Sequence, residues 1–136
     1  MKFPYVQYGA DYLPIIPVVL SRGDACIATE ALVDSGASGC IFDAQFADVL
    51  GIDDIEEGVT QVEFESVTGH RLTPFWHELV LEVAGRKIGP CAVAFSRHMP
   101  DNAVNILGQL GFFEHFPVTL TYSKKSVEIH DAGNRR

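Results

Sequence analysis

A short polar segment follows an apolar run about a quarter of the way along the chain. Residues 31–38 read Ala-Leu-Val-Asp-Ser-Gly-Ala-Ser. This pattern predicts a strand that runs into a tight turn, with the Asp34 carboxylate at its tip. Gly36 allows a backbone path that a Cβ would obstruct, and it lets neighbouring N–H groups approach the carboxylate. Such a carboxylate is a candidate for acid–base chemistry, and the alternative is a turn aspartate that caps its own loop.

This segment resembles the active-site loop of the retropepsin-like aspartic proteases, in which two apolar residues precede Asp-Thr/Ser-Gly-Ala. A second segment, Val104-Asn-Ile-Leu-Gly108, resembles the apolar-apolar-Gly element that packs beside the catalytic loop in that family. The order of predicted elements is also similar, and the resemblance covers roughly residues 14–130. It implies that Asp34 is the catalytic residue. The residues implied to support or pack against its loop are Ser35, Gly36, Ala37, Ile106, Leu107 and Gly108.

The resemblance also implies that one chain is half of an active site. The family's mechanism uses two carboxylates around one water, and these share a proton because two carboxylates about 3 Å apart cannot both ionise. The sequence contains no second Asp-Ser/Thr-Gly, and Asp131-Ala-Gly133 lacks the hydroxyl residue and is followed by only three residues. We therefore expect a homodimer that brings two copies of Asp34 together. Ser35, like its counterpart in the family, would reach across to the partner's backbone.

A β-hairpin flap covers the substrate cleft in this family. The corresponding hairpin is expected between strands around residues 63–66 and 72–81. Its tip is expected at Val67, Thr68, Gly69 and His70. Retroviral flaps are richer in glycine, and an ordinary hairpin is an equal alternative here. The resemblance implies an extended peptide or protein substrate, held by strand-like pairing with pockets for alternate side chains.

The elements that must position Asp34 are predicted mainly as strands. Period-two alternation marks half-buried strands, with Leu79, Leu81 and Val83 as one inward-facing set. Continuously apolar runs predict strands buried on both faces, or nearly so, at residues 15–20, 25–33 and 90–95. A helix of about two turns is predicted at 43–50, with Phe46, Val49 and Leu50 on one face and a stop at Gly51. A second short helix is predicted at 109–115.

Together with the resemblance, these elements predict an all-β, closed, barrel-like acid-protease (retropepsin) fold with one or two short helices. No shift in composition divides the sequence, so residues 1–136 are expected to form a single domain. Its core is expected at about 14–130, followed by a polar tail at 131–136. Viral members interleave their N- and C-termini at the dimer interface, and the polar tail suggests an interface that is built differently here.

Composition argues against several other classes of protein. The chain has a formal net charge of −8 and no Lys/Arg run, so nucleic acid is not an expected partner. The cysteines, Cys26, Cys40 and Cys91, form no CxxC pair, and the histidines have no HExxH spacing, so neither a metal nor a cofactor is expected. No signal-peptide pattern or membrane-length apolar stretch is visible, which favours a cytoplasmic protein with free thiols.

Two alternatives to a homodimeric endopeptidase stay open at this point. The same fold could serve as a non-catalytic module for dimerisation or peptide binding, because a motif does not establish turnover. The chain could also be a monomer whose partner half is a different protein.

Overall fold

A computed structural model of the chain describes residues 1–56, 64–65, 71–72, 75–97, 99 and 104–131, which are mostly β-strand. The strands in chain order are β1 (Lys2–Pro4), β2 (Val6–Tyr8), β3 (Asp11–Leu13), β4 (Ile15–Arg22), β5 (Ala25–Val33), β6 (Ile41–Asp43), β7 (Phe64–Glu65), β8 (Arg71–Leu72), β9 (Phe75–Val83), β10 (Arg86–Ser96), β11 (Asn105–Leu107), β12 (Val118–Thr121) and β13 (Ser126–Ile129). Within the described ranges there is one α-helix, α1 (Gln45–Val49), and one 3₁₀ helix, Tyr122–Lys124.

Six strands close into a barrel in the order β10–β6–β11–β5–β4–β9, and β9 closes it by pairing with β10. Two of the pairings are parallel: β11 with β5, and β10 with β6. Parallel pairing of β11 with β5 places Leu107 opposite Val33, so these two strands end side by side at Asp34. The predicted all-β, barrel-like fold is confirmed.

More of the barrel strands have one exposed face than the sequence predicts. Leu79, Leu81 and Val83 are buried, as their alternation predicts. The prediction that residues 25–33 are buried on both faces is wrong, because the first six residues of β5 alternate between half-buried and exposed. One face of a barrel strand points inward and the other outward, so a continuously apolar strand can still have an exposed face. In β4 the outward residue Pro17 is exposed for the same reason.

The helix predictions are partly corrected. Helix α1 is shorter than predicted, and Asp43 lies before it, where its Oδ1 accepts a hydrogen bond from the Gln45 backbone N–H at 3.0 Å. Leu50 is buried as predicted, but Val49 is 51% exposed and Ala47 is the buried residue of this short helix. Because α1 faces the core through Ala47, Val49 at its end lies on the outer side.

The helix predicted at 109–115 is wrong, because this segment is a series of turns. The Phe113 and Glu114 N–H groups donate to carbonyls five residues back, not four. Gly111 has φ +96°, and its N–H donates to the Glu114 carboxylate at 2.7 Å. A left-handed residue with a side chain as its acceptor interrupts the helical hydrogen-bond pattern.

A separate three-stranded sheet joins the two ends of the described chain in the order β1–β13–β12. Strand β1 is antiparallel to β13, with Phe3 opposite Val127. The β12–β13 hairpin turns through the polar 123–126 segment, and Lys125 at its turn has φ +51°. The N-terminal strand thus pairs with the C-terminal strand of its own chain.

Helices of membrane-spanning length and hydropathy are absent from the part of the chain that the structure describes.

Candidate active site

Asp34 follows directly on β5, and a neighbouring strand fixes its backbone. The Asp34 N–H donates to the Leu107 carbonyl at 3.0 Å, which continues the parallel pairing of β5 with β11 past the last strand residue. The preceding residue, Val33, is buried and donates its N–H to the Pro14 carbonyl at 2.9 Å. The base of the loop is therefore anchored on both sides before the chain turns.

The Asp34 carboxylate is held by its own loop. Its Oδ1 accepts a hydrogen bond from the Gly36 N–H at 2.9 Å, and its carbonyl accepts one from the Ala37 N–H at 3.2 Å. Asp34 is half-buried, whereas Ser35 and Gly36 are exposed. The turn thus presents one carboxylate at an open surface, with one of its oxygens already oriented by a backbone donor.

Residues 108–110 run alongside the far side of this loop. The Gln109 N–H donates to the Ala37 carbonyl at 2.8 Å, and the Leu110 N–H donates to the Ser38 carbonyl at 3.0 Å. A Cβ on Gly108 would lie 2.7 Å from the Ala37 carbonyl oxygen and closer still to that of Gly39. Only glycine lets the two backbone segments approach this closely.

The side chain of Gln109 adds a contact within the loop itself. Its Nε2 donates to the Ser35 carbonyl at 2.8 Å. The sequence offers no local signal for this role, because residue 109 is expected there to begin a helix. Its position next to Ser35 depends on a pairing between segments 74 residues apart.

Two solved structures are similar to this chain over most of its length. The retropepsin-like aspartic protease from Rickettsia conorii matches 93% of this chain and 97% of its own, with a TM-score of 0.64 and 17% sequence identity. EIAV protease in complex with the inhibitor HBY-793 matches 76% of this chain and 88% of its own, with a TM-score of 0.51 and 20% identity. No protein-family model and no curated protein matches the sequence.

The chain has the retropepsin-like fold. The resemblance expected from the Asp34 loop and the Val104–Gly108 segment is thereby confirmed at the level of the fold. In this retropepsin-like fold, Asp34 lies where β5 ends, and Ile106, Leu107 and Gly108 lie on and just after β11 beside it.

Cys40 lies behind the loop of the retropepsin-like fold. Its Sγ accepts a hydrogen bond from the Gly108 N–H at 3.4 Å and donates to the Leu110 carbonyl at 3.5 Å. Burial, the largest cause, raises the pKa of the Cys40 thiol to about 12. The thiol therefore packs as a small, uncharged buried group.

Trp76 packs next to the loop in a small cluster that is separate from the main core containing Cys40. Its indole ring contacts Gly39 so closely that a Cβ at position 39 would overlap the ring. It also packs against the buried pair Ile41 and Ala94. Its Nε1 is buried without a hydrogen-bond partner, the single such side-chain atom in the described part of the chain.

Asn105 links three barrel strands and was not anticipated from the sequence. It is buried, and its Nδ2 donates to the Glu30 carbonyl of β5 at 2.9 Å. Its Oδ1 accepts from the Asp43 N–H of β6 at 3.0 Å. A buried amide that uses both its donor and its acceptor holds β11 in register next to the strand that carries Asp34.

The flap prediction falls partly outside the described residues. Strands β7 and β8 pair antiparallel, with Phe64 opposite Leu72 and Glu65 opposite Arg71. The expected tip residues Val67, Thr68, Gly69 and His70 lie outside the described residues. The residues that are described include no group of three or more His, Cys, Asp or Glu placed to hold a metal ion.

Proposed function

We propose that this protein is an aspartic endopeptidase that works as a homodimer, with one Asp34 from each subunit. The observation that carries the proposal is a loop-held carboxylate at the end of β5, braced by β11, in a fold that the chain shares with two aspartic proteases. Ser35, Gly36 and Ala37 form the supporting turn, and Ile106, Leu107 and Gly108 pack against it.

In this proposal, two Asp34 carboxylates share one proton and hold a water between them. The ionised carboxylate takes a proton from the water as its oxygen attacks the scissile carbonyl carbon. The protonated carboxyl donates to the carbonyl oxygen, which gives a neutral tetrahedral diol. Collapse of the diol breaks the C–N bond while a proton passes to the leaving nitrogen. The Gly36 N–H keeps one Asp34 oxygen oriented during these transfers.

A second copy is the proposed source of the other carboxylate. The sequence has one Asp-Ser-Gly, so a two-fold axis through the loop is the simplest way to pair two carboxylates. Ser35 and Gly36 are exposed, as residues that face a partner must be in an isolated chain. Leu110, 59% exposed and hydrogen-bonded to Ser38, adds an apolar side chain beside the loop that the partner would cover.

The interface would not require exchange of terminal strands between subunits. Strand β1 already pairs with β13 of its own chain, and the Met1 amino group donates to the Ile129 carbonyl at 2.8 Å. The dimer is therefore proposed to form through the loop surface. The proposed substrate is an extended peptide or protein segment, covered by a flap whose tip is Val67, Thr68, Gly69 and His70.

The decisive experiment replaces the carboxylate without changing its shape. Asp34→Asn should abolish cleavage of a peptide library between about pH 4 and pH 7, while sedimentation equilibrium still shows a dimer. Asp24→Asn, in the exposed turn between β4 and β5, is the matched control and should cleave normally. Cleavage that survives in purified Asp34→Asn protein would refute the assignment. A wild-type dimer that binds peptides without cleaving them would instead indicate a non-catalytic module.

A further inference from the structure

We propose that Gln109 is a positioning residue for Asp34, acting through the peptide bond between Ser35 and Gly36. The inference rests on the proposed function and adds to it a residue outside the Asp-Ser-Gly turn. Two hydrogen bonds carry it: Gln109 Nε2 to the Ser35 carbonyl at 2.8 Å, and the Gly36 N–H to Asp34 Oδ1 at 2.9 Å.

The two hydrogen bonds lie on opposite edges of one rigid unit. The Ser35 carbonyl and the Gly36 N–H belong to the same trans peptide, so they point in opposite directions in a common plane. A donor that fixes the carbonyl therefore also fixes the direction of the N–H. The Gln109 amide nitrogen must face this carbonyl, because a carbonyl oxygen only accepts hydrogen bonds.

Gln109 is well placed to act as this donor because its own backbone is pinned. Its N–H donates to the Ala37 carbonyl at 2.8 Å, and the next residue, Leu110, donates to Ser38 at 3.0 Å. The side chain thus reaches from an anchored backbone to Ser35, a part of the turn that these two backbone bonds do not hold. Hydrogen bonds at both ends of a peptide also polarise it, which strengthens each.

The consequence concerns the carboxylate. If the Ser35–Gly36 peptide rotates, the Gly36 N–H turns away from Asp34 Oδ1, and the carboxylate loses the donor that orients it. Oriented donors at a reacting group contribute to turnover more than to substrate binding. Loss of the Gln109 donor should therefore lower kcat and leave KM nearly unchanged.

Three variants distinguish the effect of the hydrogen-bond donor from the effect of side-chain size. Gln109→Met keeps the length without a donor, and Gln109→Glu offers an acceptor that the Ser35 carbonyl repels. Gln109→Arg restores N–H donors on a long side chain. We expect kcat to fall about fivefold to tenfold in the Met variant, the range for losing one such hydrogen bond. The fall should be larger in the Glu variant, whereas Arg should stay within about threefold of wild type. Gln7→Met, an exposed Gln in β2, is the control.

A second readout tests the inference independently of turnover. The Gly36 amide proton, observed by NMR in the protein without substrate, should move upfield and exchange faster in the Met and Glu variants, and should recover in the Arg variant. An unchanged Gly36 amide in a folded Gln109→Met protein would overturn the inference. So would a loss of kcat that Arg does not restore. If the wild-type protein does not cleave peptides, the proposed function fails, and the Gly36 amide still decides the role of Gln109.

Discussion

Replacing Gly108 with alanine tests the close approach between β11 and the Asp34 loop. An alanine Cβ would lie 2.7 Å from the Ala37 carbonyl oxygen and nearer to that of Gly39. An ordinary carbon–oxygen contact is about 3.3–3.6 Å, so the segments must separate by more than half an ångström, as a rough figure. The atoms in the way belong to the backbone, which cannot rotate aside as a side chain can.

The expected loss in the free energy of unfolding comes from the contacts that this separation would strain. Overpacking a tight site costs about 1–3 kcal/mol. The neighbouring hydrogen bonds, from Gln109 to Ala37 and from Leu110 to Ser38, would also stretch, and each contributes about 1 kcal/mol. We expect Gly108→Ala to lower the free energy of unfolding by about 3 kcal/mol, which corresponds to a fall in Tm of roughly 10 °C for a chain of this size.

Urea unfolding followed by circular dichroism would measure this change, with Gly23→Ala as the matched control. Gly23 has φ +60°, and a Cβ added there would meet no other atom within 4 Å, so its substitution should cost only about 1 kcal/mol of backbone strain. The proposed cleavage activity should fall more than tenfold in Gly108→Ala even where the protein is folded, and stay near wild type in Gly23→Ala. If the two variants were equally stable, the steric reasoning would be wrong.

Three further outcomes can be checked on the same preparation. Burial raises the pKa of Cys40 from 9.0 to about 12, so the unfolded chain loses this proton first as the pH rises. The free energy of unfolding should therefore fall between about pH 9 and pH 12 by up to ~1.4 kcal/mol per pH unit, and Cys40→Ala should flatten that slope in urea titrations. Asn105→Asp should cost about 1–3 kcal/mol at neutral pH, because a carboxylate cannot donate to the Glu30 carbonyl. Part of this loss should return in acid, where the protonated carboxyl can donate, as thermal unfolding at two pH values would show. Leu110→Glu should weaken the proposed dimer at least tenfold in sedimentation equilibrium, whereas Val49→Glu, on a side chain exposed to a similar degree, should leave it unchanged.

Patterns that depend on near neighbours were predictable. Alternation identified the inward face of β9, and the Asp-Ser-Gly turn with the Ile-Leu-Gly element identified the fold. Each of these signals is contained within a few consecutive residues, and strand periodicity translates directly into burial. Local signals were weaker for α1, which buries Ala47 and leaves Val49 exposed.

Features that depend on register across the barrel were not predictable. Asn105 reaches Glu30 across 75 positions, and Gln109 reaches Ser35 across 74. Neither residue stands out in its own segment. The helix expected at 109–115 was wrong for a different, local reason: Gly111 has φ +96°, which a right-handed helix does not accommodate.

These long-range contacts bear on what a partner subunit would contribute. Within one chain, the Asp34 loop is held by the Gly36 and Ala37 N–H groups, by the Gln109 side chain, and by the bond from the Asp34 N–H to the Leu107 carbonyl. In the proposed dimer, a carboxylate oriented in this way would lower the cost of assembling the site. In the proposed enzyme, dimerisation therefore supplies the second carboxylate, while the geometry of the first is set by folding.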